Sequence, residues 1–358
     1  MQTNVSKVER ITEANVDELS LALFAHVDQQ PLSSTKQPEK YSNQFKYNFL
    51  PRFVRGKNPP MPASQRSSAL SKERVFTQGG MKYTLTLKPA IIKHENKDGE
   101  RDDYLKYPGS LESMIEEVLI LMATNGHLVK ATVAQTVRYG VSFTYGDIRR
   151  ELAKHGRTRS FTEIKESLEV LRDSSSVLSP YNAKGKEINL DIFSTAILDQ
   201  SVKGRGAEKC FVFFSDHIVS LIEDMSYRQY NFSSTQESDS ELARYLHRYI
   251  VNEFRSVSTV NDIVEISAVQ LLDMFGKNEI TEKSKKRDLQ SAITLLIDNG
   301  LVSNYQCRGE IYQICLTEKF IDEIINSNAK RKGLLAIKDG IQKGELEKLP
   351  PKQASLSF

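Results

Sequence analysis

No apolar run in this chain of 358 residues reaches the ~18 residues that a membrane-spanning helix requires, so no such helix is expected. Cysteine is scarce, with Cys210, Cys307 and Cys315 only. An odd count without CxxC spacing argues against a disulfide framework and against a zinc site. Cys210 and Cys315 sit in apolar, strand-like runs where a thiol packs as a small hydrophobe. The six histidines form no HxH, HExxH or HxxxH pattern, which removes the ligand set of a metal-assisted tyrosine nickase. There is no GxxxxGK[ST] loop for a nucleotide triphosphate, no GxSxG elbow and no cysteine beside an obvious histidine partner. The chain therefore reads as a binding protein and not an enzyme, with no cofactor and no metal. Met1 to Ala14 is polar throughout and lacks a signal-peptide core, so a cytoplasmic location is expected.

Composition is that of a globular protein, with 39% apolar and 27% charged residues. The net charge of +3 is small, but it is unevenly spread. Between Gln29 and Arg74 nine Lys or Arg face two Glu, an excess of +7, which leaves the rest of the chain at −4. A basic arm on a balanced protein favours a polyanion, nucleic acid or an anionic membrane surface. The same segment holds Pro31, Pro38, Pro51, Pro59, Pro60 and Pro62 among Ser, Gln and Lys. Residues 29–74 read as a flexible basic linker that buries too little apolar surface to offset its ordering entropy. Before it, residues 1–28 contain one amphipathic stretch, Val16 to Val27.

From Tyr83-Thr-Leu-Thr-Leu87 onward the chain reads as one pattern used twice. In the first unit, residues 75–230, Leu111 to Thr124 is helical with Leu111, Ile115, Val118 and Met122 on one face. Val141-Ser-Phe143 is a short strand, Tyr145 to His155 a helix stopped by Gly156. A second helix starts at the Ser160/Glu163 capping box and buries Phe161, Ile164, Leu168 and Leu171. A turn at Asn182 to Gly185, a long strand Glu187 to Leu198, a turn at Gly204 to Gly206 and a strand Lys209 to Phe214 follow. The second unit, residues 231–332, repeats the order: helix Glu237 to Phe254, strand Ile263 to Ile266, a helix capped by Ser267 and ended by Gly276. A longer helix capped by Thr281 runs to Asn299, and a hairpin pairs Leu301–Tyr305 with Ile311–Leu316. Its tip is Cys307 to Glu310, and a final helix from Thr317 fades by Lys332, leaving 333–358 as a short tail. Helix, strand, helix, helix, hairpin is the winged-helix order. The expected class is thus α+β, two tandem winged-helix domains after a flexible basic N-terminal region.

The third helix of such a unit enters the major groove. In the second unit its apolar stripe is Leu289, Ile293, Leu296 and Ile297, which turns Lys283, Ser284, Arg287, Gln290, Ser291 and Thr294 outward. Cationic and amide side chains there reach base edges and phosphates. Lys277, Lys285 and Lys286 add phosphate-reaching charge, and Arg308 sits on the wing. The matching face of the first unit, Thr162, Glu163, Glu166 and Asp173, is acidic and a poor base reader. Its cations precede it in Gly156-Arg-Thr-Arg-Ser160, so Arg157, Thr158 and Arg159 either contact the DNA backbone or this unit forms an interface with a second copy.

The run Val141-Ser-Phe-Thr-Tyr-Gly-Asp-Ile148 before a helix resembles the strand-to-helix step of the TrfA family of plasmid replication initiators. So do Cys210-Phe-Val-Phe-Phe-Ser-Asp-His-Ile-Val-Ser-Leu221, then Tyr230, Leu242-Ala-Arg-Tyr-Leu-His-Arg-Tyr249 and Asn299-Gly-Leu-Val302. The similarity covers residues 75–310, and it is the shared order of loose motifs that carries it. It implies two winged-helix domains on double-stranded DNA with repeated origin sequences (iterons), melting of an adjacent AT-rich stretch, and recruitment of host initiator, replicative helicase and other replication proteins. The acidic face of the first unit departs from a base-reading pattern.

Two short peptides point to a further partner. Glu18-Leu-Ser-Leu-Ala-Leu-Phe24 resembles the QLxLxLF-type peptide that docks on the bacterial sliding clamp, with Leu19, Leu21, Leu23 and Phe24 as anchors. Gln353-Ala-Ser-Leu-Ser-Phe358 resembles Qxx(L/M)xF, with Gln353, Leu356 and Phe358 in those roles. The alternative for the first is an amphipathic helix packed on its own protein, and for the second, chance. Two rival functions stay open: a plasmid copy-control or partition repressor, and a structural adaptor whose winged helices bind protein.

Overall fold

A computed structural model of the chain describes residues 5–10, 19–25, 40–62, 70–93, 103–133, 135–182, 187–200 and 209–343. The fold is mixed α+β, with helices around small antiparallel sheets. Its N-terminal elements are β1 (Val5–Arg10), α1 (Leu19–Ala25), β2 (Tyr41–Phe45), β3 (Met61–Pro62), β4 (Lys72–Gln78), β5 (Met81–Lys88), β6 (Ala90–Ile92) and β7 (Tyr104–Lys106). Then come α2 (Ser110–Met122), β8 (Leu128–Val133), β9 (Thr136–Thr144), α3 (Tyr145–Ala153), α4 (Phe161–Asp173), β10 (Ser175–Pro180), β11 (Ile188–Asn189), β12 (Phe193–Gln200) and β13 (Lys209–Phe214). The rest is α5 (Asp216–Glu223), β14 (Tyr227–Asn231), α6 (Phe232–Gln236), α7 (Glu241–Glu253), β15 (Ile263–Ser267), α8 (Ala268–Phe275), α9 (Glu282–Asp298), β16 (Val302–Arg308), β17 (Ile311–Leu316) and α10 (Glu318–Gln342).

One topology occurs twice. In α2–β9–α3–α4–β12–β13 and in α7–β15–α8–α9–β16–β17 the first strand pairs with the last and the middle strand lies outside, giving β9-β13-β12 and β15-β17-β16. The registers place Val141 opposite Val212 and Ile266 opposite Tyr312. In the first copy β8 and β1 extend the sheet beyond β9. Gly140 sits where β9 meets β13, and a Cβ there would lie 2.0 Å from the Val212 carbonyl oxygen, so only glycine permits this approach. Four helix starts are fixed by side chains that accept the backbone N–H three residues on: Thr144 from Asp147, Ser160 from Glu163, Ser267 from Gln270 and Thr281 from Ser284. Each such cap stabilises its helix by ~1 kcal/mol.

Residues 41–54 are part of the core, which corrects the reading of 29–74 as a flexible linker. β2 pairs with β14, so Ser42 lies opposite Tyr230 and Phe45 opposite Tyr227. Phe45, Tyr47, Phe49, Leu50, Phe53 and Val54 are all buried. Phe49 meets Tyr245 and Tyr249 of α7 edge-on, and its carbonyl accepts the Tyr245 hydroxyl at 2.8 Å. Arg52 forms a bidentate pair with Glu116 of α2 at 2.6 and 3.1 Å, both side chains nearly inaccessible. The proline content of 29–74 averaged over this aromatic run and hid it. β4 also begins inside the segment, at Lys72, and pairs with β5 along its length.

The N-terminal peptide is likewise corrected. In α1, Leu19, Leu21, Leu23 and Phe24 are buried, and Phe24 stacks on Phe45 and meets Tyr227 edge-on. Anchors committed to the protein's own core are not free to enter a clamp pocket. The C-terminal residues Gln353, Leu356 and Phe358 lie outside the described residues.

One apolar cluster runs from α1 through both copies to α10. The sequence reading placed a boundary between residues 230 and 231, but β14 at that point pairs with β2 and is bonded to α10 through Ser327, whose hydroxyl donates to the Gln229 carbonyl at 2.6 Å. Three elements differ in extent. The strand expected from Glu187 to Leu198 is split, because β11 joins β10 and β12 joins β13, and the chain crosses between sheets at Leu190 to Ile192. The helix expected from Glu237 begins after a Ser240 cap. α10 continues to Gln342, past the expected end at Lys332.

Candidate nucleic-acid interface

The apolar stripe of α9 packs Leu289, Ala292, Ile293 and Leu296 inward. Steps of three and four residues then place Lys283, Arg287, Gln290, Ser291 and Thr294 along the opposite, exposed face. Their freedom differs. The Ser291 hydroxyl donates to the Arg287 carbonyl and that of Thr294 to the Gln290 carbonyl, each at 3.0 Å, leaving their oxygens as acceptors. The Arg287 side chain is 75% exposed, with its nearest carboxylate, Asp288, 3.7 Å away. Ser284 is half-buried and serves the Thr281 cap. Lys286 is half-buried, and its carbonyl accepts the Tyr312 hydroxyl at 3.1 Å, which ties the helix to β17.

Two of the expected cations are engaged elsewhere. Lys285 points into the fold, 7% exposed, and pairs with Asp273 of α8, so it is not a phosphate contact. The stripe assignment left it on the polar face, but α8 crosses over that position and supplies the counter-charge. Lys277 pairs with Asp288 at 2.6 Å. Both bridges pin α9 to the α8 corner. That corner closes at Gly276, whose φ of 97° suits glycine, and a Cβ there would lie 2.9 Å from the Phe53 carbonyl oxygen.

The hairpin beside α9 is β16 and β17. Arg308 lies opposite Ile311, so Gly309 and Glu310 form a two-residue loop. Gly309 has φ 67°, as the first position of a Gly-X hairpin turn requires. Arg308 is exposed next to that turn, with Asn304 and Gln306 exposed further down β16.

In the first copy the cations expected before α4 divide. Arg157 donates to the Ser238 carbonyl at 2.9 Å and to the Gln236 side chain, so it staples the α6–α7 connection and is not a free phosphate contact. Burial, then the neighbouring Arg244, lower its pKa, so the structure spends stability to hold it there. Thr158 is exposed, and Arg159 donates to the Thr158 carbonyl at 2.9 Å. On α4, Glu163 closes the Ser160 cap and Glu166 pairs with Lys106 at 2.7 Å. Sequence reasoning passed over Arg149 and Arg150 on α3, both exposed, with Arg149 4.9 Å above the Phe161 ring. Their adjacency at the C-terminal half of a short helix was the available signal.

Among the described residues no group of three His, Cys, Asp or Glu could hold a metal ion, and no helix is long and apolar enough to cross a membrane. Cys210 is buried and Cys307 exposed, and neither forms a disulfide among the described residues.

No family model matches the chain, and no curated protein matches it. Among solved structures it is similar to two crystal structures of domains 2 and 3 of RctB. One superposes with a TM-score of 0.44 at 10% identity, covering 76% of this chain and 96% of that one. The other gives 0.37 at 11% identity, covering 73% and 96%. Likenesses of that size carry no functional argument, which rests on the geometry above.

Proposed function

We propose that the chain is a DNA-binding replication initiator that holds origin repeats with two tandem winged-helix units and acts by binding, not by catalysis. The observation that supports this reading best is the repeated topology, whose second copy leaves one face of α9 uncovered beside a two-stranded wing. A helix ~10–12 Å across fits a major groove ~12 Å wide. Arg287 has the fork geometry for guanine O6 and N7, and Gln290 the amide for adenine N6 and N7. Lys283, Lys286 and Arg308 flank them as phosphate contacts. Lys277 reaches phosphate only by giving up Asp288.

The first copy takes a positioning role, with Arg149, Arg150 and Arg159 towards backbone, or meets a second copy of the chain through its acidic α4 face. Initiation in preference to repression is supported by the ordered motifs shared with TrfA-type initiators. On that reading host initiator and replicative helicase are partners, and the C-terminal Gln353, Leu356 and Phe358 offer the remaining clamp peptide. The test is footprinting on the origin region of the replicon that encodes the chain. Protection of direct repeats, with opening of neighbouring AT-rich DNA when host initiator is added, is the expected result. Protection of a promoter without opening favours the repressor, and no salt-dependent binding at all rejects DNA as the partner.

A further inference from the structure

Away from α9, a cavity of about 480 Å³ opens among the elements that surround the two copies. Its walls come from β10, β11 and α5 on one side and from β14, the end of α7 and α10 on the other. Cavities that hold small ligands are typically ~300–1,000 Å³. The lining combines four cations, Lys46, Arg228, Arg255 and Arg331, with the apolar side chains of Leu50, Leu178, Leu190 and Leu221. Among the described residues no Asp or Glu lines it.

Several polar groups of this lining are unsatisfied. Arg228 is 3% exposed, and its Nε has no hydrogen-bond partner. The buried Nε of Arg331 is in the same state, as are the hydroxyls of Tyr47 and Tyr227. A buried guanidinium ordinarily faces a carboxylate, because an uncompensated charge away from water is costly. Arg228 instead donates its Nη2 to Ser327 and Asn328 of α10, two neutral groups. Anchoring α10 accounts for those bonds. It does not account for four orphaned polar groups at one cavity, nor for three arginines gathered there. Burial first, then the like charges of Arg255 and Arg331, lower the Arg228 pKa to about 10, against a smaller opposing pull from Glu253. The group stays charged at neutral pH, and a bound anion would relieve both the desolvation and the repulsion.

We infer that this cavity binds a small anionic molecule, a phosphate or similar oxyanion carried on an apolar body. The guanidinium and phenol groups would hold the oxygens by charge-assisted hydrogen bonds, and the leucines would cover the body. Because the walls come from elements far apart in sequence, such a ligand braces β10 and α5 against β14 and α10. The inference does not depend on DNA binding, since no α9 residue lines the cavity.

The probe is phenyl phosphate, with inorganic phosphate and benzyl alcohol as its two halves, titrated against the full chain at constant ionic strength. Calorimetry and thermal unfolding are the readouts. Phenyl phosphate is expected to raise the unfolding temperature and benzyl alcohol to leave it unchanged. The double variant Arg255→Gln with Arg331→Gln keeps Arg228 on Ser327 and Asn328 and removes like charge, so its ligand-free stability is expected to hold or rise. Its affinity should fall by about tenfold or more, the loss expected for a charge-assisted hydrogen bond. If that variant fails to fold, Lys46→Gln, at an exposed position, carries the same test with a smaller loss. No response of the wild type to phenyl phosphate overturns the inference, and so does unchanged affinity in the variants. Equal affinity for inorganic phosphate overturns the apolar-body part. Displacement of phenyl phosphate by duplex DNA would assign these cations to the DNA backbone instead.

Discussion

Two basic residues two positions apart on α9, Arg287 and Lys285, are predicted to fail in opposite ways. Arg287 is 75% exposed and only 3.7 Å from Asp288, so its ion pair is worth ~0–1 kcal/mol and Arg287→Ala should move stability by about 0.5 kcal/mol or less. If its guanidinium reads a base, the same change costs ~1–3 kcal/mol of specific binding, or roughly five- to 150-fold. Lys285 is 7% exposed and paired with Asp273, itself 22% exposed. Breaking a buried pair at one end costs ~3–5 kcal/mol, and the partial exposure of Asp273 reduces this to about 2 kcal/mol. Lys285→Ala should therefore lower the urea midpoint while leaving the affinity of the folded protein and its preference for the repeat unchanged. The assay is fluorescence anisotropy with a duplex carrying the footprinted repeat and a scrambled duplex, each at several salt concentrations, beside urea unfolding of both variants. Arg287→Ala should bind the scrambled duplex nearly as wild type does and the repeat more weakly, which narrows the preference without abolishing it. The reasoning is refuted if Arg287→Ala binds the repeat like wild type, or if Lys285→Ala keeps full stability and loses affinity.

Phe24→Ala removes a fully buried ring between Phe45 and Tyr227 and should cost ~3–5 kcal/mol, seen as a lower thermal midpoint; a variant of wild-type stability would put α1 outside the core. Arg52→Met leaves Glu116 without its bidentate partner and should destabilise by a similar ~3–5 kcal/mol, whereas a flexible segment at residues 40–62 would show almost none. Burial pushes the Glu151 carboxyl up, but the nearby His155, 3.8 Å away, and hydrogen bonds from Lys154 and Lys40 outweigh it and hold it well below the ordinary range. With the folded pKa below the unfolded value of ~4.3, this stabilisation is complete above that pH and is lost progressively as pH falls from there through the folded pKa. Lys40→Met should flatten that acid limb of the stability curve, and an unchanged limb would show that Lys40 contributes nothing to it. Leu356→Ala with Phe358→Ala should abolish binding of purified sliding clamp in a titration while leaving DNA affinity intact; wild-type protein that binds no clamp removes that partner.

Much of the architecture was legible in the residues because it depends on local chemistry. The caps at Ser160, Ser267 and Thr281 and the stop at Gly276 act within a few positions of the helix ends they set, and all four are found where the sequence placed them. The inward stripe of α9 and its outward Lys283, Arg287 and Gln290 follow from 3.6-residue periodicity alone. The tertiary structure decided everything that depends on a partner distant in sequence. Composition averaged over 29–74 could not show that Tyr41–Phe45 would find β14, 186 positions on from Tyr41 to Tyr227, and become core. Leu19 to Phe24 carries the same apolar spacing whether it meets a clamp or its own β2 strand, and only the packing of Phe24 on Phe45 distinguishes them. Lys285 and Arg287 are both cations on one helix, but α8 brings Asp273 against the first and leaves the second to solvent. Charge is written in the sequence, and its availability is set by which neighbour the fold brings within a few ångströms.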